Sequence, residues 1–111
     1  MSSRSSKGVS PNKRDPAATL TRMGDALMKK GRFELAMRHY AEALHINPDL
    51  ARAHNGLAAA LAKQGEIKEA IGHYDKALRI DPGDNKAREG REAALRRMGQ
   101  STPTPVGDGG S

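Results

Sequence analysis

Histidines are the residues of this sequence with the most possible chemical roles, because a neutral imidazole can bind a metal ion or exchange a proton near neutral pH. The sequence contains His39, His45, His54 and His73. No two of them are four residues apart, the spacing that places two metal ligands on one helix face, and there is no cysteine to complete a site. The sequence therefore predicts no metal site and no cofactor.

Catalytic motifs are also absent from the sequence. Without cysteine there is neither a thiol nucleophile nor a disulfide framework. No G-x-S-x-G, Walker or G-x-G-x-x-G pattern occurs, and the GDGG near the C-terminus follows no strand pattern. We therefore predict that the protein is not an enzyme.

An internal repeat of 34 residues organises most of the chain. Aligning residues 17–50 with 51–84 gives 12 identities. The conserved pairs are Ala17/Ala51, Ala26/Ala60, Leu27/Leu61, Lys29/Lys63, Gly31/Gly65, Ala36/Ala70, His39/His73, Tyr40/Tyr74, Ala43/Ala77, Leu44/Leu78, Ile46/Ile80 and Pro48/Pro82. Apolar residues recur at helical spacing on both sides of Gly31 and Gly65, so each unit is predicted to be a helix, a tight turn and a second helix. Tyr40 and Tyr74 are predicted to be core residues.

Three dipeptides are predicted to start helices, each with a capping residue before proline. They are Asp15-Pro16, Asn47-Pro48 and Asp81-Pro82.

The repeat resembles the tetratricopeptide repeat (TPR) family. The matching pattern is a small residue in the first helix, Ala-aromatic-Ala in the second helix and a closing proline. In the second unit these residues are Ala58, Ala70, Tyr74, Ala77 and Pro82. The family's early aromatic residue is replaced by Leu20 in the first unit and His54 in the second. The resemblance implies an all-α fold, a short right-handed solenoid of five antiparallel helices: two helix-turn-helix repeats and a cap helix.

The fifth helix, residues 85–99, is predicted to be a solvating cap, because the stripe that would pack on a following helix is mostly charged. At the front of the stack, Arg22 stands where Gly56 and Gly90 stand in later units. Burying Arg22 in a helix contact would be costly, so we expect a complete short solenoid rather than part of a longer array.

Composition divides the chain into three parts. Residues 1–15 are predicted to be a disordered, basic, serine-rich arm, residues 16–99 the TPR domain, and residues 100–111 a disordered tail. No secretory or membrane-spanning segment is predicted, and a soluble cytoplasmic protein is the working expectation for an otherwise undetermined compartment.

The resemblance also implies a concave face built from the first helix of each unit. The stripe lining that face carries six basic and two acidic residues. We therefore predict a basic groove for a partner protein or peptide that carries acidic residues. The predicted partner-binding residues are Thr21, Asp25, Met28, Lys29, Arg52, Asn55, Ala59, Lys63, Lys86, Glu89 and Arg96.

One class of TPR domain clamps the acidic C-terminus of heat-shock chaperones. At the five clamp positions this chain has Thr21, Asp25, Gly56, Lys86 and Gly90, and only Lys86 fits. The sequence therefore does not predict that clamp.

The leading functional hypothesis is a non-catalytic adaptor or scaffold module. One alternative is electrostatic nucleic-acid binding through the basic arm and groove, motivated by a pI near 10.0. It is the weaker hypothesis, because no exposed aromatic residue is expected for base stacking. Another alternative is a self-assembling TPR module, a homo-oligomer formed through the ends of the solenoid.

Overall fold

A computed structural model describes residues 15–101, and these form five α-helices with no strand in that range. We number them α1 (Pro16–Lys29), α2 (Phe33–Ile46), α3 (Ala51–Lys63), α4 (Ile67–Ile80) and α5 (Asn85–Ser101). The predicted five-helix, all-α solenoid is confirmed. The predicted arm falls almost entirely outside the described residues, as does most of the predicted tail, and α5 continues two residues beyond its predicted end.

Two glycines close the helical hairpins within the repeats. Gly31 and Gly65 adopt φ angles of 78° and 88°, in the left-handed region that only glycine enters without strain. After α1, the amide of Arg32 donates to the Leu27 carbonyl and the amide of Gly31 donates to Met28. This is a Schellman turn, and the same bonds recur after α3. The turns reverse the chain so that α2 packs on α1 and α4 packs on α3.

The prediction for the three proline dipeptides is right at one position. Asp15 caps α1, since its carboxylate accepts hydrogen bonds from the amides of Ala17 and Ala18. Asn47 and Asp81 do not cap the following helices, which begin only at residues 51 and 85.

Asn47 and Asp81 instead form Asx turns just after the preceding helices. Asn47 accepts from the amide of Asp49, and Asp81 accepts from the amide of Gly83. The cap of α5 is Asp84, whose carboxylate accepts from the Ala87 amide.

The core is built from small residues around two tyrosines. Tyr40 on α2 and Tyr74 on α4 are 1% and 5% exposed and lie among fully buried alanines. Each ring crosses to the next repeat, where it lies against a glycine: Tyr40 on Gly56 and Tyr74 on Gly90. The two rings therefore join successive repeats.

The end helices are exposed where the charge pattern predicted. Arg22 and Ala26 on α1 are exposed, whereas Ala60, the equivalent of Ala26 in α3, is fully buried. On α5, Ala87 and Ala94 are buried, whereas Leu95 is 40% exposed. None of the helices in residues 15–101 combines the length and apolarity needed to cross a membrane.

Candidate functional site

A groove of about 650 Å³ runs across the side of the solenoid formed by α1, α3 and the start of α5. These helices lie side by side because each is the first helix of its 34-residue unit. The groove is lined by Asp25, Met28, Lys29, Tyr40, Ala51, Arg52, Asn55, Gly56, Ala59, Asp81, Asp84 and Lys86. Its walls come from α1, α3 and α5, and Tyr40 of α2 and the loop before α5 complete the lining.

Most of the predicted partner-binding residues come together in this groove. Those that line it are Asp25, Met28, Lys29, Arg52, Asn55, Ala59 and Lys86. Lys63, Glu89 and Arg96 are exposed but lie outside the groove.

Thr21 was wrongly predicted to line the groove. Its side chain is 2% exposed, and its hydroxyl donates a 2.8 Å hydrogen bond to the carbonyl of Ala17 within α1. A threonine can satisfy its hydroxyl inside its own helix in this way, so it packs as a core residue.

The loop before α5 contributes acidic residues that the sequence prediction missed. Asp81 and Asp84 line the groove beside Lys86. Together with Asp25 they equal in number the three cations, Lys29, Arg52 and Lys86. The prediction of a basic groove was therefore wrong for the groove as a whole. The prediction counted only helix positions, whereas the turn between α4 and α5 folds against the same surface.

Asp25 connects a buried tyrosine to an exposed arginine. The hydroxyl of Tyr40 donates to one carboxylate oxygen of Asp25 at 2.5 Å, and Arg52 donates to the other at 3.1 Å. Burial, and then the hydrogen bond and charge of Asp25, raise the pKa of Tyr40 far above its ordinary value. The Tyr40 hydroxyl is therefore a permanent donor, and Asp25 and Arg52 are already occupied with one another.

The two lysines of the groove are in a different situation. Neither Lys29 nor Lys86 forms an ion pair with any carboxylate in the part of the chain that the structure describes. Their ammonium groups are the groove cations that remain available to a ligand.

Outside the groove, His54 on α3 contacts His73 on α4, with 3.2 Å between their Nδ1 atoms. No group of three or more histidine, aspartate or glutamate side chains within residues 15–101 could hold a metal ion. The two rings also stack, with their centroids 5.4 Å apart, so the pair is a packing and hydrogen-bonding contact of the second repeat.

Comparison with known proteins assigns this architecture to a family. The family model described as Tetratricopeptide repeat matches residues 21–85. The chain belongs to the tetratricopeptide repeat family. No curated protein sequence matches it.

Among solved structures, the chain is similar to the second TPR domain of Spaghetti (RPAP3) bound to the HSP90 peptide SRMEEVD. The TM-score is 0.74 at 25% identity, over 80% of this chain and 82% of that chain. The TPR family and this neighbour are non-catalytic interaction modules. The protein is accordingly a protein-interaction module and not an enzyme.

Proposed function

We propose that this TPR protein is an adaptor that binds an extended, acidic segment of a partner protein in the groove of α1, α3 and α5. The observation that carries the proposal is that Lys29 and Lys86, which form no ion pair within residues 15–101, line one groove that also exposes Met28 and Ala59. An extended peptide can place backbone and apolar groups on the groove floor while its carboxylates meet the lysines.

The structural neighbour supports the class of ligand. The peptide bound to the second TPR domain of RPAP3 contains two glutamates and one aspartate in seven residues. The individual contacts do not carry over, because only Lys86 fits the chaperone clamp. We therefore propose an acidic peptide ligand held by a different set of side chains.

The balanced charge of the groove refines the proposed partner. Lys29 favours an acidic residue at the α1 side, and Lys86 favours another near α5, while Asp81 and Asp84 repel additional negative charge. A segment with two or three separated carboxylates fits better than a continuous acidic run. Exposed ion pairs contribute only ~0.2–1 kcal/mol each, so charge adds selectivity and backbone and apolar contacts supply most of the affinity.

The same balance disfavours a nucleic acid in the groove. A polyanion would have to lie against the carboxylates of Asp25, Asp81 and Asp84. We therefore do not propose nucleic-acid binding at this site.

The experiment is a titration of ¹⁵N-labelled protein with the peptide SRMEEVD and with SRMQQVN, in which amides replace its three acidic side chains. We expect SRMEEVD to shift the amide signals of Asn55 and Ala59, and SRMQQVN to bind more weakly. Reversing both free cations in Lys29→Glu/Lys86→Glu should weaken SRMEEVD about tenfold, because two attractions become repulsions.

The matched control is Lys63→Glu/Arg96→Glu, which reverses two exposed cations outside the groove. At physiological salt the Debye length is about 8 Å, so this control should change affinity by less than about twofold. Equal weakening by the two double variants, or shifts confined to α2 and α4, would contradict the proposed groove.

A further inference from the structure

The internal repeat allows the two inter-repeat contacts to be compared position by position. We call them the first crossing, Tyr40 over Gly56, and the second crossing, Tyr74 over Gly90. A Cβ on Gly56 would lie 2.8 Å from the Tyr40 hydroxyl oxygen, and a Cβ on Gly90 would lie 2.5 Å from the Tyr74 hydroxyl oxygen. The two hydroxyls thus occupy equivalent places relative to the next repeat.

The side chains around the two hydroxyls differ. At the first crossing, Asp25 accepts from the Tyr40 hydroxyl and pairs with Arg52. Thirty-four residues later, the counterpart of Asp25 is Ala59 and the counterpart of Arg52 is Lys86. The second crossing therefore keeps the phenol and the cation but has an alanine at the position of the carboxylate.

The alanine at position 59 leaves the Tyr74 hydroxyl without an acceptor in the part of the chain that the structure describes. Tyr74 is 5% exposed, and its hydroxyl has no hydrogen-bond partner among residues 15–101. Burial raises the pKa of Tyr74, so the hydroxyl stays protonated and can only gain by finding an acceptor. Lys86 likewise has no carboxylate partner there, and both Ala59 and Lys86 line the groove.

We infer that a carboxylate of the bound partner lies over Ala59, accepts a hydrogen bond from the Tyr74 hydroxyl and pairs with Lys86. The partner thereby supplies at the second crossing what Asp25 supplies within the chain at the first. This inference rests on the proposed function and assigns one carboxylate subsite within it. Small exposure does not exclude Tyr74 from this role, because Tyr40 is 1% exposed and still reaches Asp25 at the groove.

The first test needs no ligand. Ala59→Asp places a carboxylate at the position equivalent to Asp25, where Lys86 and the Tyr74 hydroxyl should stabilise its charge. We expect the introduced carboxyl to titrate about one unit below the ordinary aspartate pKa of ~3.9. In Ala59→Asp/Tyr74→Phe the titration should return toward the ordinary value.

The matched control is Ala93→Asp, since Ala93 is the next residue in the same 34-residue series and no further tyrosine follows it in the sequence. That carboxyl, on exposed helix surface, should titrate near ~3.9. An ordinary or raised pKa for the carboxyl introduced by Ala59→Asp would overturn the inference, whatever the groove binds.

The second test uses the peptide SRMEEVD. Ala59→Asp should weaken its binding about tenfold by occupying the subsite, and Tyr74→Phe should weaken it about fivefold by removing one hydrogen bond to a carboxylate. Ala93→Asp should change affinity less than about twofold. Unchanged affinity in both Ala59→Asp and Tyr74→Phe, with the groove signals still shifting, would overturn the subsite and leave the proposed function standing.

A peptide amidated at its C-terminus separates the two sources of the carboxylate. If amidation removes the effect of Tyr74→Phe, the subsite holds the terminal carboxylate. If the effect persists, the subsite holds a side-chain carboxylate of the peptide.

Discussion

His54 and His73 hold each other in defined tautomers. The Nε2–H of His54 donates to the carbonyl of Pro48 at 2.9 Å, which leaves Nδ1 of its neutral ring as an acceptor. His73 then donates its Nδ1–H across the 3.2 Å between the rings, whose centroids are 5.4 Å apart. The pair ties the loop before α3 to α3 and α4, and its shared hydrogen bond requires an unprotonated Nδ1 on His54.

This arrangement predicts that the protein becomes less stable in mild acid. Burial, and then the charges of His54 and Lys76, lower the pKa of His73 below its unfolded value of ~6.5. The unfolded chain then binds more protons than the folded chain just below that pH. The contribution of His73 to the free energy of unfolding should be complete above about pH 6.5. It should be lost as the pH falls through the folded pKa of His73.

Chemical unfolding of His73→Gln between about pH 7.5 and about pH 5 tests this dependence. The decrease should become shallower in this variant. His39→Gln is the matched control, because His39 occupies the same place in the first repeat but bonds to the Leu35 carbonyl of its own helix. Identical slopes for wild type and His73→Gln would show that His73 is not the titrating group.

The histidine pair also shows where the sequence stops being informative. The 34-residue spacing predicted which helices form and that Tyr40 and Tyr74 are buried, because both follow from local periodicity. Contact between His54 and His73 depends on the angle between α3 and α4, which no spacing within a single helix contains. The replacement of the family's aromatic residue by His54 was the available signal.

The groove was predicted in part for the same reason. Positions within α1 and α3 share a face by helical geometry, and Asp25, Arg52 and Asn55 lie along one groove. Asp81 and Asp84 were missed because a turn has no periodicity that aims its side chains. The net charge of the groove consequently could not be obtained by adding the charges along the helix positions alone.

Substitution by alanine should have opposite effects on stability at two helical glycines, Gly56 and Gly72. A Cβ at Gly56 would collide with the Tyr40 ring, whereas nothing lies within 4 Å of the Cβ position at Gly72. Gly56→Ala should lower the free energy of unfolding by about 1–3 kcal/mol through overpacking. Gly72→Ala should raise it by about 0.5–1 kcal/mol through better helix propensity. Urea titrations measure both, and a stabilised Gly56→Ala would contradict the close packing of Tyr40.

Removing only the hydroxyl should affect protein stability differently at the two core tyrosines. Tyr40→Phe removes the bond to the ionised Asp25 and should cost about 1.5 kcal/mol, the lower range for a hydrogen bond to a charged group, because Asp25 is partly exposed. Tyr74→Phe removes a buried hydroxyl that has no partner within residues 15–101, so stability without ligand should change by less than about 0.5 kcal/mol. Thermal and urea unfolding of the two variants at neutral pH make the comparison, with circular dichroism confirming equal helix content. Equal losses would mean that the two crossings are satisfied alike and that Asp25 has no special role at the first.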